Sequence, residues 1–186
     1  MAFDKIYLDM DGTMVDLCGP LTEMVGKTIA DMAPGEYNFE LSLPGTNTMN
    51  RLKQWSNTGW ANLPKTRDAD EIFSILCEYA EKRNIIFCSI PLNGQSARGK
   101  YEWLKKHYPE QPFILTETKH VLAGKNSLLV DDCDMLIETF RAMGGKALLI
   151  PRRWNKGHAL FDDGENMEGY IRKQLRGKSD GYNFFS

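Results

Sequence analysis

Five short apolar runs punctuate the chain, and each ends at a polar residue, a turn or a proline. Ile6-Tyr7-Leu8 ends at Asp9, Ile85-Ile86-Phe87-Cys88 at Ser89, and Leu128-Leu129-Val130 at Asp131-Asp132. Phe113-Ile114-Leu115 and Ala147-Leu148-Leu149-Ile150 complete the set, the last stopped by Pro151. Apolar runs without alternation read as strands buried on both faces. Helical spacing fills the intervals. Asp68-Ala69-Asp70-Glu71 resembles a capping box, with Ile72, Leu76, Tyr79 and Ala80 on one face beyond it. Ser96 is placed to cap a helix carrying Tyr101, Leu104 and Tyr108. Asp134 is placed to cap another, carrying Leu136, Phe140 and Met143 and stopped by Gly144-Gly145. A last helix is expected around Glu165–Arg176, with Gly177 as its stop, and the aromatic tail Gly181–Ser186 is too short to assign.

Strands alternating with helices predict an α/β fold with a central parallel sheet flanked by helices. Ligands of such sheets bind outside the carboxyl ends of the strands, where Asp9, Ser89, Asp131 and Asp132 all fall. Eighty positions separate Asp9 from Ser89, against the roughly thirty residues of a βαβ unit. An insertion therefore lies between them. Residues 17–66, punctuated by Pro20, Pro34, Pro44 and Pro64, read as a small mainly helical cap after the first strand. Residues 1–16 and 67–186 are then the core.

Composition narrows the function classes. The 186 residues include 42% hydrophobic and 26% charged positions, enough to bury a core. With 23 basic against 25 acidic side chains, no basic excess marks a nucleic-acid binder. No apolar stretch approaches the roughly 18 residues of a membrane helix, and the N-terminus has no signal core. The expectation is a cytoplasmic protein without nucleic-acid or membrane partners, monomeric or homodimeric. Cys18, Cys77, Cys88 and Cys133 form no Cys-x-x-Cys pair and read as free thiols.

The chemistry concentrates in Asp9-Met10-Asp11-Gly12-Thr13. Two carboxylates this close at a strand end repel unless a proton or a cation neutralises them. Asp131-Asp132 alone is the sort of pair that caps a turn; beside Asp9 and Asp11 it completes a carboxylate cluster. Hard oxygen donors point to Mg2+. Gly12 permits a tight turn. The Ser89 hydroxyl and the N–H groups near it are suited to a phosphate. Lys100, Lys119 and Lys125 are candidates to balance its charge. Lys119 follows the third strand at the correct edge, whereas Lys100, on a helix, reads as solvated.

These residues resemble the haloacid dehalogenase superfamily of phosphohydrolases. Asp9-Met10-Asp11-Gly12-Thr13-Met14-Val15 is similar to its first motif, and Ser89, Lys119 and Asp131-Asp132 match the second to fourth in order. The likeness covers roughly residues 4–155 and implies a Rossmann-like core. A narrower resemblance, to the 5'(3')-deoxyribonucleotidase family, rests on Gly59-Trp60-Ala61-Asn62-Leu63-Pro64 and Phe87-Cys88-Ser89-Ile90-Pro91. It continues through Lys100-Tyr101-Glu102-Trp103, Leu115-Thr116-Glu117-Thr118-Lys119 and Leu129-Val130-Asp131-Asp132. The chain departs from that family at Leu17, where Phe is usual. It departs again at Glu117, where Arg is usual, and at Ser89-Ile90-Pro91, where Thr-Ser-Pro is usual.

The resemblance implies a Mg2+-dependent phosphomonoesterase acting on nucleoside monophosphates. Asp9 is then the nucleophile and Asp11 the acid and base. Ser89 and Lys119 bind the phosphate. Asp9, the Asp11 carbonyl and Asp132 hold the metal, with Asp131 behind them or as an alternate ligand. Trp60, Leu17 and Ile90 are the expected base and sugar contacts. The competing readings are a phosphatase for a sugar phosphate or polynucleotide 3'-phosphate, a receiver-type phosphoacceptor, and a non-catalytic binding protein.

Overall fold

The computed structural model describes residues 2–162 and 166–176. Strands β1 (Lys5–Leu8), β2 (Ile85–Ser89), β3 (Phe113–Leu115), β4 (Ser127–Asp131) and β5 (Lys146–Leu149) form one sheet in the order β3-β2-β1-β4-β5. Every pairing is parallel. Ile6 pairs with Ile85 on one side and Leu128 on the other, so β1 lies buried at the centre. All five runs expected as strands are strands. The connections leave β1 in opposite directions, toward β2–β3 and toward β4–β5, which opens a crevice at the carboxyl ends around it.

The alternation along each strand sorts its side chains between two faces. Ile6, Leu8, Ile85, Phe87, Leu128, Val130 and Leu148 join the main core cluster. Helices α5 (Ala69–Leu76), α6 (Gly94–His107) and α9 (Met167–Arg176) cover it through Ile72, Trp103, Leu104 and Ile171. Leu129 and Ala147, with Tyr7 and Leu149 beside them, pack instead on Ile137 and Phe140 of α7 (Asp134–Ala142). α8 (His158–Asp162) follows β5. Among the described residues, no helix is long and apolar enough to cross a membrane.

Three helix starts differ from expectation. Asp68 makes no cap hydrogen bond, because its carboxylate is taken by Arg152. α6 is capped by Asn93, with Ser96 one turn in and closing the reciprocal bond of a capping box. Tyr101, expected on its buried face, is exposed, as is Met143 after α7. α7 is preceded by Cys133 as cap, with Asp134 its first residue. Gly144 then turns the chain at φ +87°. Gly177 and the tail 181–186 lie outside the described residues.

Between β1 and α5 run α1 (Cys18–Met24), α2 (Phe39–Ser42), α3 (Thr48–Lys53) and α4 (Asn57–Ala61). Leu17, Leu21, Leu52, Trp60 and Leu63 from this segment enter the main core cluster. The Trp103 indole donates to the Leu63 carbonyl at 2.8 Å. α4 meets α6 at Gly99, where a Cβ would stand 2.3 Å from Trp60 Cβ and 2.6 Å from the Asn57 carbonyl oxygen. Alanine is intrinsically the better helix former by about 1 kcal/mol, but backbone cannot yield as a flexible side chain does. Gly99→Ala should destabilise by about 1–3 kcal/mol, measured by urea unfolding. A stabilised variant would mean that α4 is free to move away.

Candidate active site

The carboxyl ends of β1, β2 and β4 meet at a cleft of about 310 Å³. Asp9 continues β1, its N–H bonded to the Val130 carbonyl at 2.9 Å. The chain then turns tightly: Met14 and Val15 N–H groups return to the Met10 carbonyl at 2.8 and 2.7 Å, and Gly12 N–H reaches the Val15 carbonyl at 2.8 Å. Gly12 adopts φ +77°, and a Cβ there would fall 2.1 Å from Asp132 Oδ2. Both conformation and space thus require glycine.

Lys119 sits in a 3-10 turn (Lys119–Leu122) after β3 and is 1% exposed. Its ammonium donates to Asp9 Oδ1 at 2.5 Å and Asp131 Oδ2 at 2.7 Å. An ammonium has three N–H groups, so a further donor remains for a ligand. The other Asp131 oxygen, Oδ1, accepts from Cys133 N–H at 2.9 Å. Asp9, Asp131 and Asp132 can each bring one oxygen within 4.8 Å of the others.

Their burial has electrostatic consequences. Desolvation, opposed by Lys119 and reinforced by the Asp131 and Asp11 charges, pushes Asp9 up to about 7. Desolvation, then the Asp9 and Asp131 charges, hold Asp132 well above the carboxylate range. For Lys119 burial acts downward, but Asp131 and Asp9 outweigh it and raise its pKa. Asp132 Oδ1 is buried with no hydrogen-bond partner among the described residues. A crowded set of hard oxygen donors with one oxygen open fits a small divalent cation.

Ser89 ends β2 and is 1% exposed. Its hydroxyl accepts from Lys100 at 2.8 Å. Lys100 is not solvated as its place on a helix suggested; it is 2% exposed. It also donates to the Ile90 carbonyl at 2.6 Å and pairs with Asp11 Oδ2 at 2.6 Å. The signal was available: Lys100 shares the inward face of α6 with Ser96, Gly99, Trp103 and Leu104. Lys125, the remaining candidate cation, is exposed.

Leu17, Ile90 and Trp60 line the cleft with Tyr37, Phe39 and Met49. Trp60 is 2% exposed and lies within the wall, with Lys100 Nζ 5.6 Å from its ring centroid. The exposed aromatic of the cleft is Tyr37, at 47%.

Sequence reasoning missed the segment after β5. Buried Arg152 donates to the Gly12 carbonyl at 2.6 Å and the Thr13 carbonyl at 3.1 Å. It grips both Asp68 oxygens at 2.8 Å. The Trp154 indole donates to Asp132 Oδ2 at 2.5 Å. Pro151 ends a parallel strand, so the residues beyond it emerge at the ligand edge; that rule alone would have flagged them.

No protein-family model and no curated protein sequence matches the chain. Solved structures do. One is a hydrolase from Streptococcus pneumoniae TIGR4, with TM-score 0.51 and 12% identity over 81% of this chain and 94% of that one. Another is the L-2-haloacid dehalogenase from Xanthobacter autotrophicus, with TM-score 0.50 and 11% identity over 97% of this chain and 91% of that one. At such identities the likeness is one of fold. The chain shares the α/β fold of these two hydrolases, and its own acidic cluster of Asp9, Asp131 and Asp132 lies at the carboxyl edge of the sheet.

Folded protein retains a proton on Asp9 up to about pH 7, whereas the ordinary value is 3.8. Without divalent ions this group therefore costs stability as pH rises between those values. Asp9→Asn lacks that cost. Its stability relative to wild type in chelator should be least favourable near pH 4, improve to about pH 7 and then level off. Urea unfolding across pH checks this, and a pH-independent difference would show Asp9 to be ionised throughout.

Proposed function

We propose that the protein is a Mg2+-dependent phosphomonoesterase that hydrolyses nucleoside or deoxynucleoside monophosphates. The observation that carries this reading is the buried Asp9–Lys119–Asp131 bridge, with Asp11, Ser89 and Asp132 at the same strand ends. A fixed nucleophile, a cation with a spare donor and a tight turn beside it are the parts that phosphoryl transfer requires.

A carboxylate oxygen of Asp9 attacks phosphorus as the bond to the sugar oxygen breaks. Asp11, as general acid, gives a proton to that leaving oxygen. Water then attacks the aspartyl-phosphate, Asp11 takes the water proton, and the bond from Asp9 to phosphorus breaks. Lys119 and the Ser89 hydroxyl donate to the phosphoryl oxygens as charge shifts onto them. Asp9, the Asp11 carbonyl and Asp132 would hold Mg2+, which when bound neutralises charge at the phosphoryl group. Asp131, with both oxygens taken by Lys119 and Cys133, orients the set from behind.

The wall of Tyr37, Phe39, Met49, Leu52, Ile90 and Pro91 supports a leaving group with a flat apolar part, as a nucleoside has. Tyr37, the exposed aromatic of that wall, is the candidate to stack on a base. Phosphate release should depend on Mg2+ and concentrate on nucleoside monophosphates in a panel that includes sugar phosphates. Asp9→Asn should lower kcat by about 10³-fold or more while remaining folded. Turnover confined to other esters would replace the substrate class, and full activity in Asp9→Asn would remove the nucleophile.

Mg2+ at about 100 times its Kd should stabilise wild type by about 2.7 kcal/mol, read as a rise in melting temperature. The rise should be larger at about pH 8 than at about pH 5, because the cation competes with the proton that Asp9 holds.

A further inference from the structure

Asp11 Oδ1 and Asp132 Oδ1 are the carboxylate oxygens buried without a partner among the described residues. In each case the second oxygen is pinned by a residue away from the strand ends, Lys100 at 2.6 Å on Asp11 and Trp154 at 2.5 Å on Asp132. The Trp154 contact carries further. The indole N–H donates to one oxygen of Asp132 and so orients the carboxylate, turning the other oxygen away from the ring. The donor is neutral, so it does not cancel the charge that Asp132 carries once ionised. The ring is 6% exposed and belongs to a hydrophobic cluster with Cys18, Met32 and Leu43 of the inserted segment. The backbone of Asp132 is held as well: Asn155 Nδ2 donates to its carbonyl at 2.8 Å and to the Ile150 carbonyl at 2.9 Å. Side chain and main chain of Asp132 are thus both set from the segment after β5.

We propose that Trp154 is a positioning residue for the divalent cation. Its indole N–H holds Asp132 Oδ2 so that Oδ1 faces the metal, and its ring ties that geometry to the hydrophobic cluster of the inserted segment. This rests on the metal reading of the cleft. Partners that orient a metal ligand from behind contribute about 10–100-fold in affinity.

Calorimetric titration of the full chain with Mg2+ tests it, comparing wild type with Trp154→Phe and Leu43→Ala. Phenylalanine keeps an aromatic ring but has no N–H. Leu43 belongs to the cluster without lining the cleft. Trp154→Phe should bind Mg2+ about 10-fold or more weakly, beyond any change in its metal-free melting temperature. Leu43→Ala should weaken binding by a smaller factor, by loosening the packing around the ring. Wild-type tryptophan emission should change on adding Mg2+, and that change should be lost in Trp154→Phe. Equal Mg2+ affinity in wild type and Trp154→Phe overturns the proposal and leaves the metal site standing. A wild type that binds no Mg2+ overturns both. Should Trp154→Phe fail to fold, Leu43→Ala decides: unaltered affinity overturns the proposal, and weakened affinity upholds it.

Discussion

Like charges crowded at the edge of a parallel sheet set the terms for the whole molecule. Asp9, Asp131 and Asp132 are buried within a few ångströms of one another, with Asp11 beside them. Their repulsion in a poorly solvated site would open the cleft. Lys119 inserts its ammonium between Asp9 and Asp131, and Lys100 takes one oxygen of Asp11. Two cations against four carboxylates leave an excess of negative charge when all are ionised, and Asp9 and Asp132 respond by holding their protons to higher pH. On the proposed metal reading the site is poised between protons and a cation, and the fold around it must resist the repulsion.

That resistance comes from outside the strands. Arg152 joins two carbonyls of the turn after β1 to Asp68 at the start of α5. The turn is therefore clamped from the far end of the sheet, by a residue 140 positions from Gly12. Removing one member of such a buried pair typically costs about 3–5 kcal/mol, since the other charge stays behind. Trp154 and Asn155, two and three positions further on, hold Asp132.

The sheet was legible because buried strands write themselves as short apolar runs, and the cluster because its members end those runs. Lys100 misleads for a physical reason. A lysine scores as a surface residue unless its helix face is drawn, and here the face of Gly99, Trp103 and Leu104 points inward. Asp68 has the sequence of a helix cap, but a buried guanidinium made the better partner. Arg152, Trp154 and Asn155 come after a proline in a polar stretch with no periodic pattern, so only the topology reveals them. Trp60 and Tyr37 are alike as aromatic residues of the insertion, and only packing against α6 tells the wall residue from the exposed one.

The insertion after β1 has a consequence for how such proteins can diversify. Leu21, Leu52, Trp60 and Leu63 fill the same cluster as the sheet, and Cys18, Met32 and Leu43 close around Trp154. A segment so interleaved cannot be exchanged like a cassette. Transplanting another chain's insertion here would leave holes beneath α6 and free the indole above Asp132. New specificity would then arise more readily by altering single side chains along the cleft than by trading the whole segment.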